Sequence, residues 1–267
     1  YQFGLNHATG YSILTYYCAY YRYYYTHEFI TALLNTADTQ DKIIKATQLA
    51  GERGIQIMPI KFRHSRDEYV YDRSDKKIYQ GMESIKYLNK RLSREFYKLR
   101  NTKFDSFVDL LVMNQKKKIA DSRQMDILIK LDFFSEFGNP NQLLEQVKIF
   151  NEFYGAKQLN KLDLDELLPH DTMLKLCEKE TEKQYVNVDW LRIVQLLCMK
   201  TSDIKTSITD RIQYEADCLG YIQLTIPKLN PSYIYVLDID GKFSNKTVLG
   251  YVLQNGQQRR LKVKART

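Results

Sequence analysis

Four cysteines, Cys18, Cys177, Cys198 and Cys218, stand far apart in a chain of 267 residues and never form a Cys-x-x-Cys pair. That spacing excludes a zinc-ribbon framework and a disulfide scaffold. The four histidines, His7, His27, His64 and His170, are equally scattered and lack metal-ligand spacing. No apolar run reaches the roughly 18 residues that a membrane-spanning helix needs, and the first residues are not those of a secretory signal. Phosphate loops, dinucleotide fingerprints and thiol-nucleophile motifs are absent as well. These absences lead to the expectation of a soluble, cytoplasmic protein with no membrane partner and no metal or cofactor of its own.

What is present is length, apolar residues and positive charge. With 44% hydrophobic residues the chain can bury more than one core, so more than one domain is expected. A formal net charge of +8 favours a polyanionic partner, because the summed field concentrates phosphate-bearing ligands.

The pattern predicts a mainly α fold with small β parts. Residues 11–24 contain no Pro or Gly and are apolar or aromatic at nearly every position, which predicts a helix buried over most of its circumference, with its tyrosines in a core. Thr26, followed by Glu28, is expected to cap a second helix. Asp38 or Thr39 should cap a third, which Gly51 and Gly54 end. Residues 55–60 alternate like a strand, and 69–71 with 77–81 predict a hairpin around Ser74-Asp75-Lys76. Helical stretches follow at 82–99 and 121–134, separated by 104–111. Asn139-Pro140 opens another helix. Further helices are expected at 172–182, at 188–199 behind Asn187, and at 209–219, where Ser207 and Asp210 resemble a capping box and Gly220 ends the run. After residue 226 the chain reads as β, with Asn255-Gly256 as a hairpin turn and a basic last strand bearing Arg259, Arg260, Lys262, Lys264 and Arg266.

Phe3, His7, Ala8, Tyr11, Tyr16, Ala19, Tyr20, Arg22, Tyr25, Glu28 and Phe29 fall without gaps on a pattern of the fingers domain in the alpha subunit of bacterial replicative DNA polymerases, the C family. Downstream, Glu83-Ser84-Ile85-Lys86, Phe104-Asp105-Ser106-Phe107 and the stretch from Leu128 to Phe134 resemble that family's tandem helix-hairpin-helix region. Tyr214 to Ile222, including Glu215, Gly220 and Tyr221, resembles the motif before its oligonucleotide-binding (OB) barrel. Three departures stand out. The motif lysine is Leu5, the proline before the second helix is Thr26, and the hairpin Lys86-Tyr87-Leu88-Asn89-Lys90-Arg91 has no glycine. The opening in mid-motif without Met is the pattern expected of an excised or incomplete chain.

The resemblance implies four parts: a fingers-like segment with a small hairpin over 1–81, the tandem helix-hairpin-helix region over 82–160, a helical connector over 161–225, and the start of an OB-like barrel over 226–267. It implies part of a DNA-directed DNA polymerase for replication, a nucleotidyltransferase. Its palm carboxylates, with their Mg2+, would lie outside this chain, and the chain alone would be inactive. His7, Tyr11 and Arg22 would face a deoxynucleoside triphosphate. Lys86, Lys90, Arg91, Arg94, Lys116, Lys117, Lys118, Arg259 and Arg260 would hold primer–template DNA through phosphates. Gln158-Leu159-Asn160-Lys161-Leu162 lies where such subunits can carry a sliding-clamp peptide, so the clamp and other replisome subunits are further implied partners. The alternative is a non-catalytic DNA-binding or replisome-interaction protein derived from the same family. Asp163-Leu164-Asp165 and Asp238-Ile239-Asp240 sit outside any palm context, and Asp238 and Asp240 read as strand-end residues before Gly241.

Overall fold

The computed structural model describes residues 4–220, 222–226, 228–230, 232–241, 245–256 and 258–264; Phe3, Tyr221 and Arg266 lie outside them. The chain divides into two compact units, Tyr1–Leu128 with Asp132–Gly138, and Ile129–Leu131 with Asn139–Thr267.

The first unit opens with α1 (Leu5–Tyr24), α2 (Thr26–Thr36) and α3 (Gln40–Glu52). The three expected helices are present, but α1 begins six residues before the expected 11–24 and is not a buried helix. None of its residues is buried, and Tyr16 and Tyr23 are 66% and 70% exposed. Its rings pack on one another along the helix instead, Tyr20 on Tyr24 and Tyr23 on Tyr24 with centroids 4.8 Å apart. Apolar periodicity reports the character of a helix face and not the presence of a partner for it. Thr26 is not the cap either. The chain breaks at Tyr25, so Thr26 is already helical, and its hydroxyl donates back to the Arg22 carbonyl at 2.9 Å.

Ile30 and Leu34 of α2 pack with Ala46 and Ala50 of α3, Ile55 and Ile78. Ile78 belongs to a sheet of β1 (Ile57–Met58), β2 (Val70–Asp72) and β3 (Lys77–Tyr79). Its central strand β3 runs parallel to β1 and antiparallel to β2, giving the expected hairpin. The Asn35 amide ties α2 to this sheet by exchanging two hydrogen bonds with the Tyr69 backbone, at 3.0 and 2.8 Å.

The stretch 82–99 is not one helix. A 3-10 turn, Met82–Ser84, leads through a non-helical hairpin to α4 (Lys90–Lys98). Phe107–Leu111 is no spacer but the start of α5 (Phe107–Lys117), set off by a Ser106–Asp109 capping box. After α6 (Ser122–Lys130) come Phe133 and Phe134, which join Phe62, Phe96 and Phe107 in a buried aromatic core, with ring centroids 4.9–6.3 Å apart. Arg63 fastens its rim with a bidentate pair to Glu136, both contacts at 2.7 Å, and bonds to the Arg100 and Thr102 carbonyls.

The second unit begins with α7 (Pro140–Phe153), capped by Asn139 with Pro at the first turn, as the dipeptide requires. The 161–225 segment is not purely helical. β4 (Gln158–Asn160) precedes α8 (Lys161–Leu164) and α9 (His170–Leu176). Then β5 (Cys177–Glu180) and β6 (Gln184–Val188) pair around a Thr181 turn, making a sheet of order β4-β6-β5. Asp189, not Asn187, caps α10 (Trp190–Met199); Asn187 has φ +52° inside β6. α11 (Ile208–Leu219) has the expected Ser207–Asp210 capping box and ends on Gly220 at φ +78°. The tail is an antiparallel meander, β7 (Ile234–Asp240), β8 (Asn245–Val252) and β9 (Gln258–Lys264), with Tyr251 packed against Ile212 and Ile222. Asp238 and Asp240 lie at the end of β7. The three strands close no barrel.

Candidate nucleic-acid interface

The first hairpin is anchored by two buried residues three positions apart. Ile85 and Leu88 are buried, while Lys86, Tyr87 and Asn89 point out. The Leu88 amide donates to the Ile85 carbonyl at 3.1 Å, which closes a turn that puts Tyr87 at φ +72°. That left-handed conformation is the one glycine adopts without steric cost, and here a tyrosine holds it. Asn89 caps α4, its side-chain oxygen accepting from the Leu92 amide at 3.0 Å.

The second hairpin joins α5 to α6. Lys118 ends α5 at φ +49°, and the buried Asn114 amide pins the turn by exchanging two hydrogen bonds with Ala120, at 3.1 and 2.9 Å. Asp121 and Gln124 cross-bond at the start of α6.

The two hairpins touch. Gln124 donates to the Tyr87 carbonyl at 3.0 Å, Arg91 donates to the Lys118 carbonyl at 3.2 Å, and the Arg123 guanidinium carbon lies 3.4 Å from the Tyr87 ring centroid. Lys86 reaches the same ring from 5.0 Å. The Lys86 ammonium, with Arg123 beside it, holds the Tyr87 phenol below the usual tyrosine range.

The cations expected to hold DNA differ in how free they are. Lys86 is exposed, as are Lys116, Lys117 and Lys118 at the end of α5. Lys90 lies 3.4 Å from Asp67 and 3.9 Å from Glu68, and Arg94 lies 3.6 Å from the same Asp67. Burial opposes ionisation of Asp67, but a backbone amide, Lys90 and Arg94 outweigh it and keep the carboxyl below its ordinary value. Part of the charge on α4 is therefore neutralised internally. Arg259 and Arg260 are exposed on β9 in the second unit.

His7 and Tyr11 lie one turn apart on the exposed α1, whereas Arg22 is fifteen residues beyond His7. At 1.5 Å per residue that is about 22 Å along the axis, too far for both to grip one phosphate. Arg22 instead borders a shallow concavity of about 560 Å³ with Leu33, Lys42, Lys45 and Glu52. Gln158-Leu159-Asn160 is a strand paired to β6, Lys161 is ion-paired to Glu180, and Leu162 is 87% exposed. Among the described residues no three His, Cys, Asp or Glu side chains are grouped to hold a metal ion. The Mg2+ that the resemblance implies has no ligand set there. No helix among them is long and apolar enough to cross a membrane.

Arg123, Gln124 and Asp67 were not among the expected site residues. Arg123 and Gln124 sit in an ordinary polar helix start, and only the tertiary contact of the two hairpins reveals them.

Residues 54–144 match the helix-hairpin-helix motif family. Both hairpins lie inside that span. The chain is also similar to DNA polymerase III subunit alpha of Ureaplasma parvum, 27% identical over 202 residues, which cover 71% of this chain and 20% of that protein. It is 26% identical to the subunit of the same name from Halalkalibacterium halodurans over 197 residues, 70% of this chain and 18% of the relative. The Thermus aquaticus subunit is 26% identical over 151 residues, 55% of this chain and 12% of the relative. The chain thus spans about a fifth or less of the curated relatives it matches.

Proposed function

We propose that this chain is a DNA-binding portion of a replicative DNA-directed DNA polymerase, in which the joined hairpins hold the sugar-phosphate backbone of primer–template duplex. The observation that carries this reading is the contact of the two hairpins, which places Lys86, Arg91, Arg123 and Lys118 on one surface of a segment that matches the helix-hairpin-helix family. Phosphate contacts from such a surface fix register on the duplex without reading sequence. Similarity to subunits named DNA polymerase III subunit alpha supports the replicative assignment. In this reading the exposed α1 belongs to the fingers, where His7, Tyr11 and Arg22 face different parts of a nucleotide and its template, and the palm carboxylates with their Mg2+ lie elsewhere. Arg259 and Arg260 add a second basic strand. The sliding clamp and other replisome subunits complete the proposed partners, in the cytoplasm.

Titration of the chain with mixed-sequence duplex at rising salt tests the DNA-binding part. The expected result is weak, sequence-independent binding whose logarithm falls linearly with the logarithm of salt. Affinity that stays constant from low to physiological salt would refute it. A second reading, a non-catalytic DNA-binding relative, is favoured by the 81% exposed Leu5 where the family motif has lysine. Primer extension by the complete polypeptide separates the two. Extension that slows in His7→Ala or Arg22→Ala supports the polymerase, and duplex binding without any extension supports the relative.

A further inference from the structure

A glycine-rich hairpin holds a phosphate with exposed backbone amides at a helix start. This first hairpin offers less of that. A tyrosine instead of a glycine stands at the φ +72° position, Asn89 already takes the Leu92 amide, and Lys90 and Arg94 are turned toward Asp67. What faces outward is a side-chain arrangement spanning both hairpins. Tyr87 lies between Lys86 and Arg123, and Arg91 bonds to the Lys118 carbonyl beside them.

We propose that Tyr87 and Arg123 form a side-chain-built phosphate clamp, in which the tyrosine ring is a platform that fixes the Arg123 guanidinium for bidentate contact with one phosphodiester of duplex DNA. The inference rests on the DNA-binding reading above. A guanidinium 3.4 Å from the centroid of an aromatic ring is held by cation–π attraction, with one N–H shared with the Tyr87 phenol and the others left to fork onto two phosphate oxygens. Among the described residues no carboxylate is paired with Arg123 or Lys86, unlike Lys90 and Arg94 with their Asp67. Gln124, next to Arg123 on α6, bonds to the Tyr87 carbonyl, so the platform and the guanidinium move as one body. Tyrosine at the left-handed position thus exchanges amide contacts from one hairpin for a contact that needs both.

The test is equilibrium binding of the full chain to a fluorescently labelled, mixed-sequence duplex over a series of salt concentrations, with circular dichroism confirming that each variant folds. Arg123→Ala should weaken binding about tenfold, the worth of a charge-assisted pair, and reduce the salt slope by about 0.9. Arg123→Lys should recover the slope but not the affinity, because an ammonium cannot fork. Tyr87→Gly should lose affinity comparably, and Tyr87→Phe, which keeps the ring face, should rescue it. Lys148→Ala, at an exposed lysine of α7, serves as the unchanged control. Tyr87→Gly binding as tightly as the parent or tighter would return the contact to backbone amides and overturn the clamp. So would an unchanged Arg123→Ala while the triple Lys116, Lys117, Lys118→Ala variant loses binding, a result that leaves the DNA-binding reading standing. A parent chain that binds no duplex overturns both.

Discussion

Substituting Gly81 by Ala tests how the first hairpin is held in place. A Cβ built there meets the Glu68 carbonyl carbon at 2.4 Å and the Asp67 oxygen and Glu68 Cα at 2.6 Å, all backbone atoms that cannot swing aside. Relief to ordinary contact requires about 1 Å of separation. Yet the two segments are fastened by the Met82 amide on the Arg66 carbonyl at 2.9 Å and the Glu83 amide on the Asp67 carbonyl at 3.0 Å. Overpacking costs about 1–3 kcal/mol. With rigid backbone on both sides and one hydrogen bond, worth about 1 kcal/mol, given up to open the gap, roughly 3 kcal/mol is expected. For a unit of this size that lowers the thermal midpoint by about 10 °C. The measurement is thermal unfolding followed by far-ultraviolet circular dichroism, with amide exchange at Met82 and Glu83 to locate the damage. The control is Gly51→Ala, inside α3 with no atom within 4 Å of the added carbon, which should stabilise by about 0.5–1 kcal/mol. A Gly81→Ala midpoint within about 2 °C of the parent would refute the argument that this backbone approach is rigid.

Asn114→Ala removes both side-chain bonds that pin Ala120 and should cost about 2 kcal/mol, with faster amide exchange at Ala120; unaltered exchange there would show that the second hairpin is held by other means. Burial raises the Glu215 carboxyl above its ordinary value even though it accepts the Gln223 and Leu224 amides at 2.6 and 2.8 Å with Arg211 nearby. Its contribution to stability is therefore complete below the unfolded-state value near 4.3 and is lost as pH rises through the higher folded value. The urea midpoint of the parent relative to Glu215→Gln should fall on going from pH 4 to pH 7, and parallel profiles would count against the burial cause. Cys18 is exposed, whereas burial pushes the Cys198 thiol up to about 12, so a thiol reagent at pH 8 should modify Cys18 at once and Cys198 only after denaturant is added. Equal native rates at the two positions would contradict the buried setting of α10.

The sequence carries helix starts and stops well, because their causes are local. Asn139-Pro140, the Ser207–Asp210 box and Gly220 each satisfy orphan backbone groups within a few residues, and each stands where the local chemistry places it. The strands β5 and β6 are not legible in that way. Cys177–Glu180 is a short polar run that differs little from a helix end, and it becomes a strand because Gln184–Val188 is there to pair with it. The exposure of the α1 tyrosines is illegible for a related reason, since burial depends on what lies opposite. Of the candidate site, the basic residues were visible as residues. Which of them are free was not, because Asp67 lies 23 positions before Lys90 and meets it only through the fold.

The same distinction governs the hairpins. Absence of glycine at residues 86–91 suggests at first a weakened phosphate site, since a turn there needs a positive φ and amides open to the ligand. The structure meets the first need without glycine. Tyr87, Lys118 and Asp132 all adopt positive φ, at +72°, +49° and +59°. A Cβ crowds the carbonyl in that region, so such positions persist only where surrounding contacts over-determine them. At Tyr87 those contacts are the Gln124 bond to its carbonyl and the Arg123 guanidinium on its ring; at Lys118 they are the Arg91 bond and the doubly bonded Asn114 behind it. Tyr87 and Lys118 are thus each braced by the other hairpin. Removing one brace should therefore loosen both turns together, so Arg91→Ala is expected to speed amide exchange not only at Ile119 and Ala120 but also at Leu88. Acceleration confined to the second hairpin would mean that the two turns are strained independently and that their contact does not hold them.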